Sequence, residues 1–434
     1  MRKVRELLKK LLILGASLIT ITVLLEVALR FYITEDIKSF QQPEEGPTGQ
    51  RCKPFFVYDK VRGWRLSVSC STISAEKRGR EYAVTTHSNN HGFRDNKNYR
   101  FDKSDGTQRV VVIGDSFSFG NGVEELGRYS NLLDDLLGEN VEVYNLAISN
   151  YGLDQAFLTL QIEGLRYDPD VIIMGFSDPM FNRLSRNVTE SRWSKPVFEL
   201  KQGNLHLVPQ PNEGILAVES FLDKFYLWIF VKQRISAILS ERESSDNWAN
   251  NATLTEKIIE RLVEISRQSK SSLVIFTINP RYTLKKEWDT KPNLNRLVEK
   301  LSRSNDFHFL DLYPVFKNSD YASLFYPIDG HYTVDGHILV AEELCKFFQS
   351  REILGAIGIE SCDIDKAAVY ESIEEFRHCS FNNTNKGLFL GGKCFPRECD
   401  HTGQKVECIT DTGQSGRQVC RDFEGWGTVL SECK

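Results

Sequence analysis

Hydrophobic positions divide this chain into stretches of different period. From Leu11 to Leu29, large apolar side chains are interrupted only by Gly, Ala, Ser, Thr and Glu26. At about 1.5 Å per helical residue, such a run matches a bilayer core of about 30 Å. The preceding MRKVRELLKK carries five Lys or Arg, which should hold the N-terminus in the cytoplasm. Glu26 lies near the outer end and has Arg30 four residues on as a partner. No clear A-x-A site follows, so residues 1–33 are expected to be an uncleaved transmembrane signal anchor. Residues 34–84 are polar and irregular and read as an extracytoplasmic linker.

From Arg109 onward the period changes. Short apolar runs at Val110–Ile113, Val141–Leu146, Val171–Phe176, Leu273–Ile278 and Phe307–Leu312 alternate with helix-length segments such as Leu153–Leu165 and Leu254–Gln268. Runs without polar alternation suit strands buried on both faces. The pattern predicts an α/β fold: a doubly wound, flavodoxin-like sheet of five parallel strands in a three-layer α/β/α arrangement. An insertion from Asp178 to about Ser240 breaks the alternation. KPVFELKQGNLHLVPQP within it predicts a hairpin, and the residues around Phe225–Phe230 an aromatic helix.

Composition refines this picture at the C-terminus. The 434 residues are 41% hydrophobic with a formal net charge of −5, and no basic excess points to nucleic acid. Seven of ten cysteines (Cys362, Cys379, Cys394, Cys399, Cys408, Cys420 and Cys433) crowd the tail, and Cys52, Cys70 and Cys345 complete an even count. In an exported chain that usage reads as disulfides, and residues 358–434 as a small stapled module. His378 and His401 do not fall into a zinc-ligand spacing, so no metal is expected. No phosphate-cradling glycine motif is present, and no cofactor is expected.

Candidate chemistry lies where Val110–Ile113 meets Gly114-Asp115-Ser116. A turn there delivers Ser116 to the carboxyl edge of the sheet, where open α/β folds place their ligands. Far along the chain, Asp329-Gly330-His331 offers a base and an orienting carboxylate, and Asp335-Gly336-His337 offers the same pair again. His337, Val340, Ala341, Leu344 and Phe348 share one helical stripe, so His337 is expected to face the core behind a Thr333 cap. Asp329 and His331 are then left in the preceding loop, in reach of Ser116.

GDSFSFG with this late D-x-H and the following Gly336-His337 resembles the SGNH (GDSL-type) hydrolase superfamily, and Asn89-Asn90-His91-Gly92-Phe93-Arg94 resembles an N-x-x-G-F-R element of its membrane-tethered members. The resemblance covers about residues 85–349, within an expected domain of residues 85–352. It implies Ser116 as nucleophile, His331 as base and Asp329 as its orienting acid. It also implies an oxyanion hole from the Ser116 N–H, a backbone N–H at Asn150 or Gly152, and an Asn side chain. Asn150 stands where the family has Gly, and Asp178 where it has the donating Asn, leaving Asn182 or Ser177 to substitute. An ionised carboxylate only accepts hydrogen bonds, so Asp178 weakens the expected hole.

Two functions follow from the resemblance. One is a serine esterase or O-acyltransferase acting, through an acyl-serine, on acyl groups of extracytoplasmic glycans or related esters. The other is a catalytically impaired relative that binds surface glycan or envelope partners. The expected location is a single-pass membrane protein with the catalytic domain outside the cytoplasm, its Cys-rich tail offering a further contact to envelope or glycan.

Overall fold

The computed structural model describes residues 2–32, 55–75, 81–187, 194–209, 244–281, 293–355, 359 and 361–382, and the tail strands at 387–390, 393–396, 405–409, 415–423 and 427–430. The expected aromatic helix around Phe225–Phe230 lies outside these residues, as does Cys52.

Five strands form the central sheet: β5 (Gln108–Gly114), β6 (Val141–Asn145), β7 (Val171–Ser177), β10 (Ser272–Ile278) and β11 (His308–Leu310). Their order is β11-β10-β7-β5-β6, and every pairing is parallel. This is the doubly wound order, and its reversal falls between β5 and β7. The unbroken apolar runs have the expected cause. Val111, Ile113, Ile172, Met174 and Ile275 point into one core, whereas Val110, Val112, Val171, Ile173 and Val274 point into the other. All ten are essentially inaccessible to water, each burial contributing about 1.5–3 kcal/mol.

Helices cover both faces. Leu153–Ile162 (α4) and Ser244–Ser269 lie over the first, Tyr129–Leu137 (α3) and Val334–Arg351 over the second. The last of these starts where Thr333 Oγ1 accepts the Gly336 N–H at 3.3 Å. His337 is buried on its inner face, as its stripe predicts. The hairpin in the insertion pairs Val197–Lys201 (β8) with Asn204–Val208 (β9).

Two expectations need correction. Among the described residues no helix is long and apolar enough to cross a membrane. The stretch from Arg2 to Tyr32 is one helix, α1. Its described part exposes Ile13, Leu14, Val23 and Leu24 together with Ser17, Thr20 and Thr22, and leaves Glu26 half-buried.

The second correction concerns the linker. From Phe55 the chain is already part of the folded domain, as two hairpins: Phe56–Asp59 (β1) with Gly63–Leu66 (β2), and Cys70–Ala75 (β3) with Ala83–Ser88 (β4). Phe55, Trp64, Leu66 and Cys70 are buried in the first core. The docking is polar as well as apolar. Tyr151 Oη donates to the Trp64 carbonyl at 2.5 Å, Gln155 Nε2 to the Arg62 carbonyl at 2.6 Å, and Trp64 Nε1 to the Ser149 carbonyl at 3.2 Å. Few apolar residues suffice here because backbone carbonyls of the hairpin satisfy polar side chains of the core, which a hydropathy pattern does not register.

Beyond the sheet, Cys345 in the helix Val334–Arg351 is disulfide-bonded to Cys362. Cys70 is also disulfide-bonded, and none of the described cysteines is free. The tail folds as β12 (Gly387–Leu390) with β13 (Lys393–Pro396), and as a three-stranded antiparallel sheet of β14 (Lys405–Ile409), β15 (Ser415–Phe423) and β16 (Gly427–Leu430).

Candidate active site

β5 ends at Gly114, and Ser116 opens the short helix α2 (Ser116–Phe119). Asp115 caps that helix, its Oδ1 accepting the Phe117 N–H at 3.1 Å. As the first helical residue, Ser116 has an N–H with no acceptor inside the helix. The turn is tight against its neighbours. A Cβ at Gly114 or at Gly175, the facing residue of β7, would collide with Ser118 Oγ, so both strands need glycine where α2 crosses them. Behind α2, Asn145 Nδ2 donates to the Ser118 carbonyl at 2.7 Å and to Ser130 Oγ at 2.8 Å.

His331 and Asp329 arrive from the loop between Leu324 and Val334. His331 Nε2 lies 2.7 Å from Ser116 Oγ, and His331 Nδ1 is hydrogen-bonded to Asp329 Oδ2. Three residues expected to act together thus form one continuous hydrogen-bonded chain. The imidazole packs with its ring centroid 4.7 Å from that of Phe117. Burial alone would raise the Asp329 carboxyl. Hydrogen bonding and charge from His331, with a hydrogen bond from Tyr82, outweigh it and hold the group below its ordinary range. The second D-x-H pair is not part of this chain: His337 Nδ1 accepts the Tyr129 N–H at 3.3 Å inside the core.

The other expected donors are placed unequally. Asn150 adopts φ +68°, the left-handed conformation that its side chain tolerates and that the usual glycine would take freely. Gly152 is not an available donor, because its N–H is taken by Gln155 Oε1 at 3.0 Å in the cap of α4. That corrects the expectation for Gly152. Asp178 begins the short helix α5 (Asp178–Asn182), half-buried, after Ser177 caps it by accepting the Met180 N–H at 3.2 Å. Asn182 is exposed at the far end of α5, and among the described residues no hydrogen bond joins it to the Ser116 chain.

Ser177 has a different role from a substitute donor. Its hydroxyl donates to Asp115 Oδ2 at 2.5 Å, tying the end of β7 to the turn that carries Ser116. The Arg183 guanidinium stands 3.6 Å from the same oxygen. Burial nevertheless lifts the Asp115 carboxyl above its ordinary value, against Arg183 and Ser177.

The N-x-x-G-F-R element proves to be a buried clamp. Asn89 Oδ1 accepts the N–H groups of His91 and Phe93, at 3.0 and 3.1 Å, which sets a compact turn. From that turn Arg94 reaches the carbonyls of Phe119, Gly120 and Val123, the loop leaving α2, and pairs with Glu125 at 3.1 Å. No local sequence signal announces Glu81 either, whose carboxylate holds the backbone N–H groups of Ile328 and Asp329 at 2.6 and 2.7 Å. Such contacts join residues 25 to 248 positions apart, beyond the reach of any periodicity.

A profile of the GDSL-like Lipase/Acylhydrolase family matches residues 112–339, spanning both Ser116 and the Asp329-His331 loop. A lipase/acylhydrolase from Enterococcus faecalis aligns in structure at 14% identity, over 56% of this chain and 97% of its own, with a TM-score of 0.34. A catalytic mutant of an acetylxylan esterase from Geobacillus stearothermophilus aligns at 15% identity, over 60% of this chain and 99% of its own, with a TM-score of 0.33. No curated protein matches by sequence. On the family profile, which covers more than half of its residues, this chain belongs to the GDSL-like lipase/acylhydrolases, the SGNH hydrolases.

Proposed function

We propose that this protein is a serine esterase or O-acyltransferase that works on ester-linked acyl groups of extracytoplasmic glycans or related substrates. The observation carrying this reading is the unbroken sequence of contacts Ser116 Oγ, His331 Nε2, His331 Nδ1, Asp329 Oδ2. His331 takes the hydroxyl proton as Ser116 Oγ attacks the ester carbonyl carbon. The oxyanion is met by the Ser116 N–H and by backbone at Asn150. Collapse expels the alcohol, which leaves with the proton from His331, and the acyl group stays on Ser116. Water, or a sugar hydroxyl in the transferase case, then gives its proton to His331 and attacks the acyl-serine. Asp329, held ionised, orients the imidazole and stabilises its charged form during both halves.

The extracytoplasmic assignment is supported by the Cys345–Cys362 disulfide and the even cysteine count. In this reading the Cys-rich tail contacts glycan or another envelope component. A second reading, a binder that keeps the cleft without full catalysis, is favoured by one observation: Asp178, an acceptor, stands where relatives place a donating Asn. Labelling with a fluorophosphonate probe separates the two. Covalent modification of Ser116 together with turnover of a small acyl ester supports the enzyme. Neither labelling nor turnover in the folded protein would leave the binder.

A further inference from the structure

Glu81 and Tyr82 lie outside the segment that the family profile matches, and no step of the chemistry above uses them. They nevertheless converge on Asp329. Both oxygens of the Glu81 carboxylate are engaged, by the Ile328 and Asp329 N–H groups. The Tyr82 hydroxyl is hydrogen-bonded to the Asp329 carboxylate, and its ring centroid is 5.0 Å from that of Tyr326. Tyr326 Oη donates to the Gly122 carbonyl at 2.8 Å, in the loop that leaves the Ser116 helix.

Among the described residues, the tip of the loop bearing Asp329 has few other ties, the nearest being the His331 backbone N–H, which also hydrogen-bonds the Asp329 carboxylate. The loop's internal bonds include Tyr326 N–H to the His331 carbonyl at 2.9 Å, at the base, and Gly330 N–H to the Tyr326 carbonyl at 3.0 Å, next to Asp329. Gly330 takes φ +82°, a conformation chosen for the turn and not for rigidity. Arg281 adds one contact, to the Pro327 carbonyl at 2.7 Å. His331 bonds this carboxylate through both its ring and its backbone N–H but belongs to the same loop, so a shift of the tip would carry the pair away from Ser116, and a misplacement of about 1 Å can cost about 10²-fold in rate.

We propose that Glu81 and Tyr82 are positioning residues, which fix Asp329 against His331 and so make the segment leading into β4 part of the active-site framework. Glu81 sets the backbone of the acid and Tyr82 sets its side chain. The proposal rests on the esterase reading for its kinetic test, but its geometric content can be read without turnover.

The test uses the full chain with Tyr82→Phe, which keeps the ring against Tyr326, and Glu81→Gln, each alone and combined with Asp329→Asn. The kcat for a small acyl ester should fall about tenfold in each single variant, the value of one hydrogen bond to a charged group. KM should change by less than about twofold. In the Asp329→Asn background neither change should cost anything further, because the group through which both act is gone. The NMR resonance of the His331 Nδ1–H should also shift or broaden in both single variants. Equal losses in the two backgrounds would reduce these residues to general fasteners of the loop, and an unchanged resonance with unchanged kcat would overturn the proposal. If the wild-type protein neither turns over esters nor labels at Ser116, the esterase reading fails, while the His331 resonance still decides whether Glu81 and Tyr82 position the pair.

Discussion

Ser116 and His331 stand 215 residues apart in the chain, and their side chains meet at 2.7 Å. The sheet order creates that meeting: Ser116 follows β5, one of the two strands at the reversal, so its turn opens toward the loop ahead of Val334–Arg351. Ser116→Ala should abolish acyl-ester turnover and fluorophosphonate labelling. His331→Ala should lower kcat by about 10²–10⁴-fold, the usual worth of a general base. Both proteins should melt near the wild-type temperature, since neither side chain is a core packing group. A folded Ser116→Ala protein with wild-type turnover would place the activity elsewhere.

Asp178 is the residue through which the activity can be raised. It follows the end of β7 and opens α5, where relatives carry an oxyanion donor. Asp178→Asn exchanges an acceptor for a donor at constant shape. Removing one such donor from an established hole costs about 2.7–4 kcal/mol, so even a partly aligned amide should raise kcat by about tenfold. Steady-state kinetics on the variant decide this, and a lower kcat would show that the carboxylate contributes to the site as it stands.

Much of this was legible in the sequence for definable reasons. Val110–Ile113 announces a strand buried on both faces because both faces are in fact covered, and the His337 stripe separates the two D-x-H pairs because helical burial has a period. The hairpins from Phe55 to Ser88 were not legible. Their hold on the domain includes Tyr151, Gln155 and Trp64 donating to distant backbone carbonyls, and a polar segment satisfied in this way has the composition of a linker. Gly152 misled for a related reason: its motif fixes the residue type, while only the structure shows that Gln155 occupies its N–H.

The clamp on the loop after α2 should be costly to remove. Arg94 is buried with Glu125, and its guanidinium also satisfies three carbonyls of the Phe119–Val123 loop. Burial would raise the Glu125 carboxyl, yet Arg94 and His87 hold it well below the carboxylate range. Arg94→Met fills similar space but strands that charge, which costs about 3–5 kcal/mol. Urea unfolding should show a loss of this size. Adding Glu125→Gln to Arg94→Met should recover part of it, and no recovery would mean that the carbonyl contacts dominate.

The buried His337 gives the fold a pH dependence that can be isolated. Burial, with the nearby positive charges of Arg128 and Arg94, keeps its imidazole neutral and its pKa well below the ordinary value of 6.5. A group whose folded pKa is depressed stabilises the fold fully above its unfolded pKa, and that contribution is lost as pH falls below it. His91 and His308 are also held low, mainly by burial, whereas burial and then Asp134 raise Asp135 to about 6, a shift of opposite sign in the same range. The total slope is therefore a sum, and the informative quantity is a difference between proteins. At pH 7.5, His337→Gln should be less stable than wild type by about 1–3 kcal/mol, through lost packing against Tyr129 and Tyr332. As pH falls from 6.5 toward 5, wild type pays for protonating His337 on unfolding equilibrium and the variant does not. The gap should narrow by up to about 1.4 kcal/mol per pH unit. Urea unfolding of both proteins across this range measures it, with ester turnover per folded molecule staying near wild type at pH 7.5. A gap that stays constant with pH would show that His337 is not held neutral by the fold.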